Sequence, residues 1–435
     1  MSKVTIFWFR RDLRLADNAA LYYALKQHEN ILPIFIFDTE ILSHLEKKDA
    51  RVEFIYQTVS ELKVDLQKQG SDLLVRHGRS DVIWKELIKE FSIEAVYCNH
   101  DYEPMAKNRD EKIKKILQDQ GIAFKTFKDQ CLFEKEEILS GAGTPYTVYT
   151  PYKKKVLATL NDFYLESYPS ENNQGHFLKF KEPKVLLKLT EFGFEKTGIT
   201  FPSKKVSIEI IKKYDKNRNF PTLDQGTTKL GLHLRVGTVS VRQLAQLAQK
   251  HSEVWLSELI WRDFFMQILW HFPHVEKKSF RLQYEKIQWR TGASELQRWQ
   301  EGQTGYPFVD AGMRELNETG HMHNRVRMIV ASFFSKHLLR HWYEGERYFA
   351  KKLLDYDLAA NNGNWQWAAG TGCDAAPYFR IFNPTTQIVK FDPELKYIKK
   401  WVPELGTARY PQPMIEHAEA RLRALKYYGI ALKEK

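Results

Sequence analysis

The feature that most constrains this chain is a regular alternation of short apolar runs and amphipathic stretches over its first 130 residues. Val4–Phe9, Ile31–Phe37, Leu73–Arg76, Ala95–Asn99 and Ala123–Phe127 read as strands. Between them, Asn18–Lys26, residues 51–69, Asp81–Phe91 and Asn108–Gln118 read as helices; in the second of these Val52, Ile55, Val59, Leu62 and Leu66 fall at helical spacing. Neighbouring parallel strands need a crossover, and a helix of this length supplies one. The alternation therefore predicts a Rossmann-like, doubly wound parallel sheet, which binds ligands beyond the carboxyl ends of its strands. The first strand runs into Arg10-Arg11-Asp12-Leu13-Arg14 rather than G-x-G-x-x-G, so a dinucleotide fingerprint is absent.

The pattern then changes. Residues 131–205 carry a turn-rich run, Gly141 to Pro151, and a Lys-rich run, Lys179 to Lys188, and are expected to form an interdomain connector. From 206 to 435 the period is helical: Ile208–Tyr214, Val241–Lys250, Val254–His271, Ser294–Glu301, Val309–Glu318, Asn324–Tyr343, Gly345–Asp355 and Ala418–Tyr428. The expectation is an α/β domain (1–130), a connector (131–205) and an all-α domain (206–435). A chain that is 43% hydrophobic and 28% charged is globular rather than disordered. Its longest apolar run, Ile31–Phe37, is too short to span a bilayer. A formal charge of +12 suits a polyanionic partner, though a generally basic surface would read the same way. Cys98, Cys131 and Cys373 lack metal-site spacing, which points to reduced thiols and a cytoplasmic location. Met1-Ser2-Lys3-Val4 leads straight into a strand, so no secretory signal is expected.

Four stretches have the composition of a site. Asp355 to Arg380 holds three carboxylates, three Asn, two Trp, three Gly and an Arg in 26 residues. Amides beside indoles suit a flat, polar, aromatic ligand; the competing reading is a polar loop between helices. Trp255, Glu258, Trp261 and Arg262 share one broad helix face. A Glu258–Arg262 surface pair over two core indoles is the bland reading, whereas a carboxylic acid held among rings would have a raised pKa and donate a hydrogen bond. In His321-Met322-His323-Asn324-Arg325-Val326-Arg327-Met328, Asn324 and Met328 share a face suited to a base edge, while Arg325 and Arg327 suit phosphates. Capping by Asn324 and a solvated basic face is the alternative. His321 and His323 lack further ligands nearby, so no metal is expected. Gly226-Thr227-Thr228-Lys229-Leu230 could cradle a phosphate or simply start a helix. Nine of the eleven Trp lie after residue 250.

In combination, WFRRDLRLADN (8–18), ELIWRDFF, TGYPFVDAGMREL, MHNRVRM, DLAANNGNWQWAAGTGCDAAPYFRIFNP and YPQPMIEH (410–417) closely resemble the photolyase/cryptochrome flavoproteins over nearly the whole chain. The resemblance implies FAD in the helical domain. Tyr214, Thr227, Thr228, Lys229 and Leu230 would hold its phosphates and ribose side. Trp255, Glu258, Arg262, Asn324, Arg327, Asp355, Asp357 and Asn361 would surround flavin and adenine, with Asp355 paired to Arg327 or a neighbour and Asn361 facing flavin N5. Asn at that position accompanies repair in the family, whereas many signalling relatives carry Asp or Cys. Within the family the chain looks like a class I cyclobutane pyrimidine dimer (CPD) photolyase. Glu258, Trp261, Asn324, Met328 and Trp367 would form the lesion pocket, and Arg218, Arg325, Arg327 and Arg380 would contact the DNA. An electron from light-excited reduced FAD would split the dimer and return. Trp365, Trp342 and Trp289 match the indole chain that photoreduces oxidised flavin.

The chain also departs from the pattern. Gly231 stands at a common Ser, His321 at a common Trp, and Asn364 at a common Gly. Met105 and Ala106 stand where folate-binding relatives have amide and acidic residues, so a folate antenna is not expected, and a deazaflavin, an FMN or no antenna chromophore stay open, a deazaflavin or FMN being favoured over folate. The expected partner is UV-damaged DNA, acted on by a monomer without a membrane. The rival function is a blue-light receptor without repair; the 22 residues after YPQP are read as short for a signalling tail. A (6-4) photolyase is disfavoured by Asn324 and Met328.

Overall fold

The computed structural model describes residues 3–433. Five strands form at the positions the alternation predicts: β1 (Val4–Phe9), β2 (Ile31–Asp38), β3 (Leu74–Gly78), β4 (Ile93–Asn99) and β5 (Ala123–Phe127). They make one parallel sheet in the order β3-β2-β1-β4-β5. β1 and β2 are buried at every residue, because their unbroken apolar runs are covered on both faces. Ile6, Trp8, Leu32, Ile34, Val96, Trp84 and Leu117 share that core. Strand order reverses direction between β1 and β4, the switch point of such sheets. Charged groups crowd there: Arg10 donates to Asp110 at 2.5 Å, Arg11 to Glu103 at 2.9 Å and Arg235 to Glu103 at 2.6 Å.

The chain divides into two units, and the division cuts across the expected connector. Unit 1 comprises Met1–Glu134, Thr159–Lys205 and Leu230–Leu247; unit 2 comprises Lys135–Ala158, Val206–Lys229 and Ala248–Lys435. Tyr149–Thr159 is a helix where the turn-rich composition predicts irregular chain. Its Tyr149, Tyr152 and Val156 are buried, so apolar contacts override the weak local signal.

The helical unit also differs from expectation in where its helices break and form. Asn324–Tyr343 reads as one helix, but Asn324–Ser332 continues into a π-helical turn, Phe333–His337, and stops. Leu339 takes a left-handed φ of +53° before the helix Trp342–Lys352 begins. No Gly or Pro marks the break; it follows from burying Lys336 and His337, whose side chains take tertiary partners, Lys336 donating to the Arg380 carbonyl and His337 bonding His417. Asp355–Arg380 is a loop only in part: Asp357 caps a helix over Leu358–Ala369 that ends at left-handed Gly370, and residues 371–380 are irregular. Among the described residues no helix is long and apolar enough to cross a membrane.

Candidate active site

Helix Glu253–His271 begins at Ser252, whose side chain accepts from the Trp255 amide. It carries Trp255 (buried), Glu258, Trp261 and Arg262. Glu258 is paired not on the bland surface pattern but with Arg218, from the neighbouring short helix Tyr214–Asn217. The Arg218 guanidinium lies 5.1 Å from the Tyr214 ring centroid. Burial raises the Glu258 carboxyl above the ordinary range, and Arg218 only partly offsets it. Tyr214 is also raised, first by burial and then by the nearby Glu258.

The second wall is built on the segment between Thr319 and Met328. His323, not Asn324, caps the helix, its Nδ1 accepting from the Arg325 amide at 3.1 Å. Asn324 is therefore the first helical residue, is exposed, and its side chain makes no hydrogen bond among the described residues. On the alternative reading Arg325 and Arg327 would form a solvated basic face, but both are half-buried and partnered. Arg327 donates to the Met322 carbonyl at 2.6 Å and grips Asp355 with both contacts near 3 Å. Arg325 donates to Asn219 at 2.6 Å and lies over Phe391. Arg218 and Arg327 are thus committed to carboxylates, and of the four arginines expected on DNA, Arg380 has the exposed side chain. Met328 is half-buried, with its sulfur 3.7 Å from Arg325 Nη1. His321 is held nearly uncharged, its pKa lowered to about 4 by burial and by Arg327.

The third wall is helix Leu358–Ala369. Asn361 donates from Nδ2 to both the backbone carbonyl and the carboxyl of Glu346, at 3.2 and 2.8 Å. The backbone carbonyl fixes the amide orientation, so Oδ1 is the end left to accept from a ligand. Trp365 and Trp367 part company: Trp365 is 2% exposed, while Trp367 is half-buried at the edge of the same cluster. Trp365 lies over Gly345, where a Cβ would overlap its ring, so Gly345 is required for that approach. It also meets Trp299 edge-on at 6.3 Å, a contact between two indoles that sequence spacing did not reveal. Trp342 is fully buried, and His341 links it to half-buried Trp289, with ring separations of 5.6 and 5.4 Å. The three indoles therefore run from buried to partly exposed.

The phosphate-cradle segment is divided: Thr227–Lys229 belong to unit 2 and Leu230 to unit 1. Lys229 has a left-handed φ of +52°, and the hydroxyls of Thr227 and Thr228 make no hydrogen bond among the described residues. Gly231 opens the helix Gly231–Val236 in unit 1, and Asn364 is exposed, donating to the Ala360 carbonyl at 2.8 Å. Among the described residues no cluster of His, Cys, Asp or Glu is arranged to hold a metal.

Glu346, missed by sequence reasoning, is 2% exposed and its pKa is pushed up to about 7 by burial. A carboxyl raised above its unfolded value keeps its proton longer in the folded state, so stability falls as pH rises from about 4.5 to about 7. The Glu346→Gln variant removes this dependence while keeping an acceptor for Asn361. It should gain on wild type as pH rises from about 5 to about 8, by up to about 3 kcal/mol, read as a widening Tm difference. A constant difference across that range would refute the raised pKa.

Two family models match the chain: "DNA photolyase" over residues 5–172 and "FAD binding domain of DNA photolyase" over residues 255–409. Proteins named deoxyribodipyrimidine photo-lyase from Escherichia coli K12 and a Synechococcus strain are each 36% identical, covering 99% and 96% of this chain and 99% and 94% of their own. Among solved structures, a class III photolyase from Agrobacterium tumefaciens matches with TM-score 0.87 at 31% identity, covering 100% of this chain and 98% of its own. A Sulfolobus tokodaii photolyase with two FAD molecules matches with TM-score 0.83 at 34% identity, over 98% of this chain and 100% of its own. A Synechocystis cryptochrome matches with TM-score 0.85 at 26% identity, over 98% of this chain and 99% of its own. With an α/β unit, a helical unit that matches an FAD-binding domain, and relatives 36% identical over nearly their full length, the chain belongs to the DNA photolyase family.

Proposed function

We propose that this protein is a light-driven DNA repair enzyme that splits cyclobutane pyrimidine dimers, with FAD bound in the helical unit. The observation that carries the reading is the Asn324 side chain. It is exposed and unpartnered at the start of its helix, beside Met328, and its neighbour Arg325 lies close enough to Arg218 for the two charges to interact. An amide and an apolar thioether near a protonatable acid suit the carbonyl edge and the saturated ring of a flipped dimer.

The residues present fit a flavin. Asn361 Oδ1 is an acceptor for an N–H at the flavin edge, and the free hydroxyls of Thr227 and Thr228 are phosphate donors. The Arg327–Asp355 pair and Asp357 stand on the segments expected to face the ring system. When bound, reduced FAD supplies the light-excited electron that opens the cyclobutane ring and takes it back. Glu258, raised by burial, donates a hydrogen bond to the dimer carbonyl as charge develops there. Trp261 and Trp367 wall the lesion and exclude water. Arg380 contacts the DNA backbone. Trp365, Trp342 and Trp289 conduct charge between the flavin and the surface.

For a second chromophore, Met105 is 54% exposed and Ala106 is buried, and neither side chain offers the pterin of a folate a hydrogen bond. A deazaflavin or flavin-type antenna is the reading we adopt. Cys98, Cys131 and Cys373 are buried and form no disulfide, which suits a reducing, cytoplasmic compartment, and we take the protein to act there as a monomer.

The test is loss of CPDs from a defined duplex incubated with chemically reduced protein, in blue light and in darkness. Light-dependent loss is expected. Tight flavin binding without light-dependent loss would favour the receptor function instead.

A further inference from the structure

Trp261 is held by a residue that the connector reading overlooked. Tyr149, at the start of helix Tyr149–Thr159, stacks on the Trp261 ring system at 3.5 Å between centroids and 8° between planes. Phe265, one turn along the Trp261 helix, lies 5.4 Å away and within 27° of parallel, and Phe264 meets the indole edge-on at 5.6 Å. Tyr149 is itself tied at both ends. Its hydroxyl donates to the Ser257 carbonyl at 2.8 Å, and its amide donates to Asp374 Oδ2 at 2.9 Å. It therefore joins the helix bearing Glu258 and Trp261 to the segment between Trp367 and Arg380. All of these residues belong to unit 2.

We propose that Tyr149 is a positioning residue for lesion recognition: it covers a face of Trp261, so that the indole meets the dimer with its edge and in one orientation. This rests on the proposed repair function. An indole free to rotate would lose the ordering that makes it a selective wall, because each rotamer sampled in the free protein must be given up on binding. Stacking against a second ring, whose hydroxyl is bonded to Ser257 and whose backbone is bonded to Asp374, removes that freedom before the DNA arrives.

The experiment measures dark binding of CPD-containing and undamaged duplexes by holoenzyme carrying Tyr149→Phe or Tyr149→Leu, with flavin content and photoreduction followed in parallel. Tyr149→Phe keeps the stack and loses only the Ser257 contact, so it should discriminate within about twofold of wild type. Tyr149→Leu removes the stack and should lose roughly fivefold to tenfold in affinity for damaged DNA. Its affinity for undamaged DNA, flavin content and photoreduction should not change. In repair assays the loss should appear in KM rather than in yield at saturating DNA. If Tyr149→Leu does not fold, Tyr149→Met, which also lacks a planar ring, carries the same expectation. Unchanged discrimination in the Leu or Met variant overturns the proposal, as does equal loss in Tyr149→Phe or loss of FAD from any variant. If wild type itself shows no preference for damaged DNA, the repair function fails instead.

Discussion

Replacing Trp342 by Phe should slow photoreduction of bound oxidised FAD by more than about tenfold, a barrier increase above about 1.4 kcal/mol. Repair by chemically reduced enzyme should stay within about twofold of wild type. The asymmetry follows from position. Trp342 is fully buried in the core shared with Trp365, its Nε1 donates to Ser279 at 3.4 Å, and His341 connects it to half-buried Trp289. Phe fills most of the same volume but gives up an electron far less readily than an indole. On the proposed route the step that draws an electron from outside is then interrupted, while the proposed transfer from flavin to dimer does not use this path. Flavin absorbance under continuous light with an external reductant measures the first effect, and single-turnover repair measures the second. Equal loss of both would show that Trp342 supports the fold rather than conduction. Photoreduction at the wild-type rate would point to the neighbouring Trp299–Trp365 contact as the route.

Replacing Glu258 by Ala should lower the yield of light-driven repair roughly threefold to tenfold, the worth of a single hydrogen bond to a developing charge, while FAD remains bound. Glu258 sits on the same helix as Trp261, paired with Arg218 and raised by burial. In the proposed role the active form is the protonated one, so the wild-type yield should fall as pH rises through that raised value. A Glu258→Gln variant, which keeps a donor that does not titrate, should show a flat profile over the same range. Parallel pH profiles for wild type and Gln would remove the acid from the mechanism. Loss of FAD from Glu258→Ala would place the residue in cofactor binding instead.

Much of this was legible in the sequence because it rests on local period and composition. The five strands fall within a few residues of the apolar runs that announce them, since a strand buried on both faces must be apolar throughout. The helix bearing Glu258 and Trp261 was likewise readable from its 3.6-residue period, though not its cap, Ser252. The helix Leu358–Ala369 was less so: Asn, Gly and Trp are poor helix formers, and it forms because Trp365 and Gln366 are buried and Gly363 lets Phe265 approach closely.

What sequence alone determined is the inventory: a parallel sheet without a dinucleotide fingerprint, a helical half rich in indoles, and the amides, acid and arginines that we propose for a flavin and lesion site. Tertiary structure decided the pairings. It gave Glu258 to Arg218 rather than to Arg262, moved the cap from Asn324 to His323 so that the amide stands free, and turned Arg325 and Arg327 inward. It also brought Tyr149 against Trp261 across more than a hundred residues of chain. The physical reason is the same in each case. Local patterning specifies which face of an element is buried, whereas the partner of a buried charge or ring depends on which elements meet there, and that is set by the packing of the whole core.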